Sequence, residues 1–143
     1  MTQKRLRALV IEDDGALRAG YGLVLGSLDC AMTGKRNCEE GIVELEKSRK
    51  SGEDKFDLVI TDLITGGYNS GDATGVDIAN KVLEDEGAVT PIYFVTGGGP
   101  DEVINAAKKL AEQYPQIEYI TKPLSKQNFE NMVQVARNFR IAH

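Results

Sequence analysis

The sequence predicts an α/β fold, a doubly wound parallel sheet of five strands covered by five helices. Three observations predict it. Apolar runs rich in Val and Ile recur along the chain: Leu9-Val10-Ile11, Leu58-Val59-Ile60, Ile92-Tyr93-Phe94-Val95 and Ile117-Glu118-Tyr119-Ile120. Such runs read as strands buried in a parallel sheet. Segments with apolar residues at helical spacing lie between them, and strands alternating with helices over short connections imply a doubly wound sheet. Finally, 143 residues suit a single domain with one core.

Each element follows in order. The first strand is expected from Arg5 to Glu12. Asp14 can accept from the free N–H groups of the helix that follows, which makes it the N-cap. That helix runs to about Ser27, with Leu17, Tyr21, Val24, Leu25 and Leu28 on one face. Gly15, Gly20, Gly22 and Gly26 weaken it by propensity, so packing must hold it. A short strand near Cys30 to Gly34 comes next, then a helix from Cys38 to Lys50 with Ile42, Val43 and Leu45 facing inward. Ser51 to Asp54 reads as a polar turn, and Phe56 to Leu63 as the third strand. A loop from Ile64 to Thr74 carries Gly66, Gly67 and Gly71 and leads into a helix from Gly75 or Val76 to Glu84. The fourth strand, Ile92 to Thr96, follows Pro91. Pro100 and Asp101 suit the start of a helix that ends near Gln113. The fifth strand is Ile117 to Thr121. The last helix, from Ser125 to Ile141, places Phe129, Met132, Val133, Ala136 and Phe139 on its apolar face.

Composition excludes several function classes. The net charge is -5, with Lys and Arg scattered, which argues against direct binding of nucleic acid. No run approaches a membrane span and no secretory signal is expected, so the expected location is the cytoplasm with no membrane partner. Cys30 and Cys38 lack metal-ligand spacing and read as small core residues. The only histidine is His143, so neither a Ser-His-Asp triad nor a His-based zinc site is expected.

Chemistry-bearing residues stand at the ends of the predicted strands. The first strand ends in Glu12-Asp13-Asp14, the third in Asp62, the fourth in Thr96 and the fifth in Lys122-Pro123. In an open α/β sheet, ligands bind outside the carboxyl ends of the strands. Carboxylates gathered there repel one another unless a cation or a proton intervenes. A hard divalent metal suits carboxylate and carbonyl oxygens, and Mg²⁺ is the expected ion. A carboxylate can also attack phosphorus to give an acyl phosphate, with a metal, a hydroxyl and an ammonium sharing the charge on the phosphoryl oxygens.

This ordered set, Glu12-Asp13, Asp62, Thr96 and Lys122-Pro123, resembles the receiver domain of a two-component response regulator. The resemblance covers residues 4–141 as one receiver domain, and no output domain is expected in this chain. It implies the flavodoxin-like strand order 2-1-3-4-5. It implies Asp62 as phosphoacceptor, with a histidine kinase or phosphotransfer protein as donor. Asp13, Asp62 and the backbone carbonyl of Ile64 would hold Mg²⁺ (or Mn²⁺), and Glu12 would act through water. Asp14 remains better explained as the helix cap. Thr96 and Lys122 would contact the phosphoryl oxygens, and the Lys122-Pro123 bond would be cis. Tyr119 occupies the place of an aromatic that swings inward on activation. The face of the fourth helix, fifth strand and fifth helix would then meet a downstream protein or a missing output domain.

The chain departs from the family pattern in two loops. The loop Thr65 to Thr74 is longer than usual and has no proline, while Gly75 supplies the usual glycine before the third helix. Gly97-Gly98-Gly99 follows Thr96 and should loosen the loop before the fourth helix. Ile64 and Gly98 flank the path of attacking water and offer it no side-chain hydrogen bond, which predicts a long-lived phosphorylated state. Other functions fit less well. A phosphatase with an aspartate nucleophile needs a second acid two residues on, where this chain has Ile64. A pseudo-receiver acting only as an interaction module would not need the intact acid, hydroxyl and lysine set. Flavin binding would rest on fold alone.

Overall fold

The computed structural model describes residues 5–51, 55–86 and 89–142. Gly52, Glu53 and Asp54 of the expected polar turn lie outside the described residues, as do Lys4 and His143. The order of elements is β1 (Leu6–Ile11), α1 (Gly15–Ser27), β2 (Cys30–Lys35), α2 (Cys38–Ser51), β3 (Leu58–Asp62), α3 (Gly75–Glu86), β4 (Ile92–Thr96), α4 (Asp101–Gln113), β5 (Ile117–Thr121) and α5 (Lys126–Ala142). The strands form one parallel sheet in the order β2-β1-β3-β4-β5. The predicted fold class and strand order are therefore those observed.

The period of two along each strand divides the core between the two faces. Leu6, Ala8 and Val10 of β1, Leu58 and Ile60 of β3, and Tyr93 and Val95 of β4 pack toward Tyr21 and Leu25 of α1 and Phe129, Met132, Val133 and Ala136 of α5. Leu9 and Ile11, Val59, and Ile92 and Phe94 pack on the opposite face with Cys38 and Leu45 of α2, Ile78, Ala79 and Val82 of α3, and Ala107 of α4. Phe94, Leu58, Ile60 and Leu9 are wholly enclosed, as their unbroken apolar runs required. β2 lies at the sheet edge and is only partly covered beyond Cys30.

Two side chains expected to face inward do not. Leu17 is 43% exposed and Val43 is 62% exposed. Leu17 lies one turn before Tyr21, in the first turns of α1 near the carboxyl end of the sheet. In α2 the buried residues are Cys38, Gly41, Leu45 and Ser48. Val43 lies about 200° around the helix from Gly41 at 100° per residue, and so points to solvent. Gly41 sets this rotation. A Cβ there would stand 2.6 Å from Cδ1 of Ile11 and 2.9 Å from Cδ1 of Ile78, so α2 presses its glycine against β1 and α3.

The order reverses between β1 and β3, because β2 lies on one side of β1 and β3 to β5 on the other. Ile11 pairs with Thr61, and Asp62 pairs with Val95. The register thus brings Glu12 and Asp62 side by side at the point where the order reverses. This is where an open α/β sheet leaves a crevice.

Candidate phosphoryl and metal site

Glu12 leaves the end of β1 with its backbone N–H donating to the carbonyl of Lys35 at 3.0 Å. Its own carbonyl accepts from Nη1 of Arg18 at 2.7 Å. Its side chain is 1% exposed. One carboxylate oxygen accepts from the N–H of Asp14 at 3.0 Å, and the other lies 2.7 Å from Nζ of Lys122. Asp14 turns outward and caps α1, accepting from the N–H groups of Ala16 and Leu17 at 2.9 and 3.0 Å. Of the three consecutive acids, one is buried, one caps a helix, and Asp13 is exposed beside the crevice.

Asp62 ends β3, the central strand, and is 4% exposed. Its Oδ1 lies 3.0 Å from Nζ of Lys122. Its backbone carbonyl accepts from the hydroxyl of Thr61 at 2.8 Å. A Cβ at Gly75 would stand 2.6 Å from that carbonyl, so glycine lets α3 begin directly against the end of β3. Gly75 also donates its N–H to the carbonyl of Leu63 at 2.7 Å.

The electrostatics follow from burial and pairing. Burial pushes the Asp62 carboxyl up, to about 7, and the Glu12 charge adds to this while Lys122 opposes it. For Lys122, burial favours the neutral amine, but the paired carboxylates of Glu12 and Asp62 win and hold its ammonium well above the usual lysine range. Burial also works to raise Asp13. The hydrogen bond from the Gly66 N–H, with help from its acidic neighbours, outweighs burial and keeps Asp13 below the ordinary carboxylate value.

Ligand oxygens of Glu12, Asp13 and Asp62 all lie within 4.8 Å of one another. Three carboxylates against the single ammonium of Lys122 leave an excess of negative charge. An all-oxygen donor set of that charge fits a hard divalent cation such as Mg²⁺. The sequence reading placed Glu12, Asp13, Asp62 and Lys122 at this crevice, and the structure brings those four together.

The other expected residues stand around them. Thr96 ends β4 and is 3% exposed. Its hydroxyl is engaged with Gly98, donating to the Gly98 carbonyl and accepting from the Gly98 N–H, each at 2.9 Å. The carbonyl of Thr96 accepts from the N–H of Lys122 at 2.9 Å, which ties β4 to the residue after β5. The Lys122–Pro123 peptide bond is cis. Ile64 is half-buried two residues after Asp62, and its Cδ1 would be 3.2 Å from a Cβ at Gly99. Tyr119 is half-buried against the core beneath α4, with Nζ of Lys108 5.4 Å from its ring centre. The Cys38 thiol donates to the Asp62 carbonyl at 3.9 Å and Cys30 is buried in the core, so neither thiol faces the crevice. Burial pushes Cys30 up to about 11 and Cys38 up to about 12.

Two contacts were not foreseen. The guanidinium of Arg18 on the Glu12 carbonyl and the N–H of Gly66 on Asp13 Oδ2, at 2.8 Å, both involve backbone atoms. Arg18 at helical spacing from Asp14 was a usable signal for the first. Nothing in the order of residues links Gly66 to Asp13.

Solved structures that share this architecture include receiver domains. A CheY-like receiver domain protein from Methanospirillum hungatei JF-1 superposes with a TM-score of 0.75 at 18% identity, covering 98% of this chain and all of that one. One from Clostridium thermocellum gives 0.72 at 19% identity, with 96% and 99% covered. The chain has the receiver fold. A receiver protein from Pseudomonas putida shares it at a TM-score of 0.69 and 22% identity, over 93% and 98% of the two chains. Among curated proteins, a two-component response regulator of rice, Oryza sativa subsp. japonica, is 28% identical over 121 residues. That match covers 85% of this chain and 17% of the rice protein, so this chain spans about one sixth of its relative's length. No protein-family model matches the chain. Among the described residues, no helix is long and apolar enough to cross a membrane.

Proposed function

We propose that this chain is a phosphorylation-dependent switch of a two-component system, with Asp62 as the phosphoacceptor. The observation that carries the reading is the Asp62 carboxylate. It sits at the reversal point of a receiver fold, 3.0 Å from Lys122 and within 4.8 Å of the acidic pair. The donor would be a phosphohistidine on a histidine kinase or phosphotransfer protein. An Asp62 oxygen forms a bond to phosphorus, the bond from phosphorus to the donor imidazole nitrogen breaks, and the imidazole leaves with the electron pair.

Attack needs Asp62 ionised. The Lys122 ammonium favours that form and stands where it can also meet a phosphoryl oxygen. Asp13, Asp62 and the Ile64 carbonyl, with Glu12 through water, would hold Mg²⁺ or Mn²⁺, whose charge offsets that of the phosphoryl oxygens. The Thr96 hydroxyl would reach the phosphoryl group after leaving Gly98. Tyr119 would respond on the same side of the sheet, which makes α4, β5 and α5 the surface for a downstream protein. The chain would promote its own phosphorylation and dephosphorylation without turning over a separate substrate. Ile64 and Gly98 leave attacking water without a side-chain partner, so the acyl phosphate is expected to be long-lived. A half-life of seconds would count against that.

Intact-mass spectrometry after incubation with a small acyl-phosphate donor and Mg²⁺ tests the proposal. One phosphoryl adduct is expected, absent without Mg²⁺ and absent in Asp62→Asn. An adduct that persists in Asp62→Asn would move the acceptor elsewhere. No adduct from either the small donor or a phosphorylated histidine phosphotransfer protein would leave a pseudo-receiver.

A further inference from the structure

Glu12 and Asp62 are held in place by burial and by the shared ammonium of Lys122. Asp13 is exposed, and an exposed carboxylate on a free rotor spends much of its time turned away from any one ligand position. It is held from across the crevice by the loop between β3 and α3, through the Gly66 N–H at 2.8 Å. A Cβ on Gly66 would stand 2.7 Å from the same Oδ2, a separation that real Cβ atoms do not adopt. A side chain at this position would therefore push the Asp13 carboxylate off the Gly66 N–H.

The loop is built to hold that donor in place. Its far end is tied to α2 by the Ala73 N–H, which donates to Oε1 of Glu39 at 3.0 Å. Thr74 and Asp77 close the start of α3, with the Thr74 N–H donating to Oδ2 of Asp77 at 2.8 Å and Oγ1 of Thr74 accepting from Val76 at 3.2 Å. Between these ends, Asn69 donates its N–H to Oδ2 of Asp72 at 2.8 Å. Gly67 and Gly71 turn the chain with φ of 79° and 97°, values that suit glycine.

We infer that Gly66 is a positioning residue for the metal: its N–H fixes Asp13 Oδ2 so that the carboxylate faces Glu12 and Asp62. The extended loop is then a strap that supplies this one donor. The inference rests on the reading of Glu12, Asp13 and Asp62 as a divalent-cation site. A carboxylate oxygen has two lone pairs, so the bond from Gly66 leaves Asp13 able to bind a cation. Fixing the rotamer in advance removes an ordering cost from binding.

The test is Mg²⁺ binding by titration calorimetry to the unphosphorylated chain, for wild type, Asp13→Asn, Gly66→Ala and Gly67→Ala. Gly67 has open space where a Cβ would be added, so that variant reports loop strain without contact to Asp13. Gly66→Ala is expected to weaken Mg²⁺ binding at least about tenfold, ~1.4 kcal/mol, with the metal-free melting temperature unchanged and Gly67→Ala binding nearly as wild type. Equal affinity in Gly66→Ala, with Asp13→Asn still losing the ion, would overturn the positioning role and leave the site intact. No Asp13-dependent binding by wild type would overturn both. Should Gly66→Ala fail to fold, the Gly66 amide resonance decides. The wild-type amide should be protected from exchange and should lose that protection in Asp13→Ala. Unchanged protection would refute the bond.

Discussion

Replacing Asp62 by Asn should stabilise the metal-free protein, and increasingly so as pH rises. Asp62 is 4% exposed, and burial lifts its carboxyl from the ordinary 3.8 to about 7. The folded state therefore binds the Asp62 proton more tightly than the unfolded chain does. Below about pH 4 both states are protonated and the group is neutral toward stability. Between about 4 and 7 the unfolded chain has lost the proton while the folded one keeps it, so stability falls as pH rises. Above 7 both have lost it and the penalty is complete. At ~1.4 kcal/mol for each tenfold change, the gap corresponds to ~4 kcal/mol. Asp62 shares Lys122 with Glu12, so a coupled titration leaves roughly 2–4 kcal/mol to be seen. The assay is urea unfolding of both proteins in a chelator at intervals from pH 4 to pH 8. The difference in unfolding free energy should start near zero and open to a few kcal/mol in favour of Asp62→Asn. A difference that stays flat across this range, or favours the wild type at pH 8, would refute the argument from burial.

Three further outcomes are expected. Mg²⁺ at about one hundred times its dissociation constant should add ~2.7 kcal/mol and raise the melting temperature by about 8 °C, and Asp13→Asn should abolish the gain in differential scanning fluorimetry. Lys122→Met leaves Glu12, which is 1% exposed, without its cation, and should cost about 3–5 kcal/mol in denaturant unfolding at pH 8. Adding Glu12→Gln to that variant should recover much of the loss. Gly41→Ala forces a methyl to within 2.6 Å of Ile11 and should cost about 1–3 kcal/mol by overpacking, read in the same unfolding assay.

β1, β3 and β4 were legible because each is an apolar run that only a sheet covered on both faces can bury, with polar residues marking their ends, while the edge strands β2 and β5 are mixed in composition and only partly covered. Asp14 announced its helix by standing before an apolar-periodic segment. The rotation of α2 was not legible. Its contact face is centred on Gly41, whose significance is that it lacks a side chain, and a pattern of apolar residues gives glycine no weight. Leu17 and Val43 were misplaced for that kind of reason, since periodicity locates a stripe only to within a residue or so. In the site, Glu12, Asp62, Thr96 and Lys122 were legible as strand-end residues. What holds Asp13 was not, because its partner is a peptide N–H 53 positions away, and every residue except proline has one.

The Thr96 hydroxyl is bonded to Gly98 twice, as donor and as acceptor. The ring is complete in itself, so on the proposed reading the Thr96 hydroxyl would act as a latch on the loop before α4. Drawing the hydroxyl toward a group on Asp62 would break both bonds together and strand the N–H and the carbonyl of Gly98, which belong to the two peptide units that flank it. Gly98 has φ of 136°, and open space surrounds it, so no side chain stands in the way of a freed residue turning over. The resulting motion would be a single click, with the threonine either docked on its glycine or released from it, and few stable positions between.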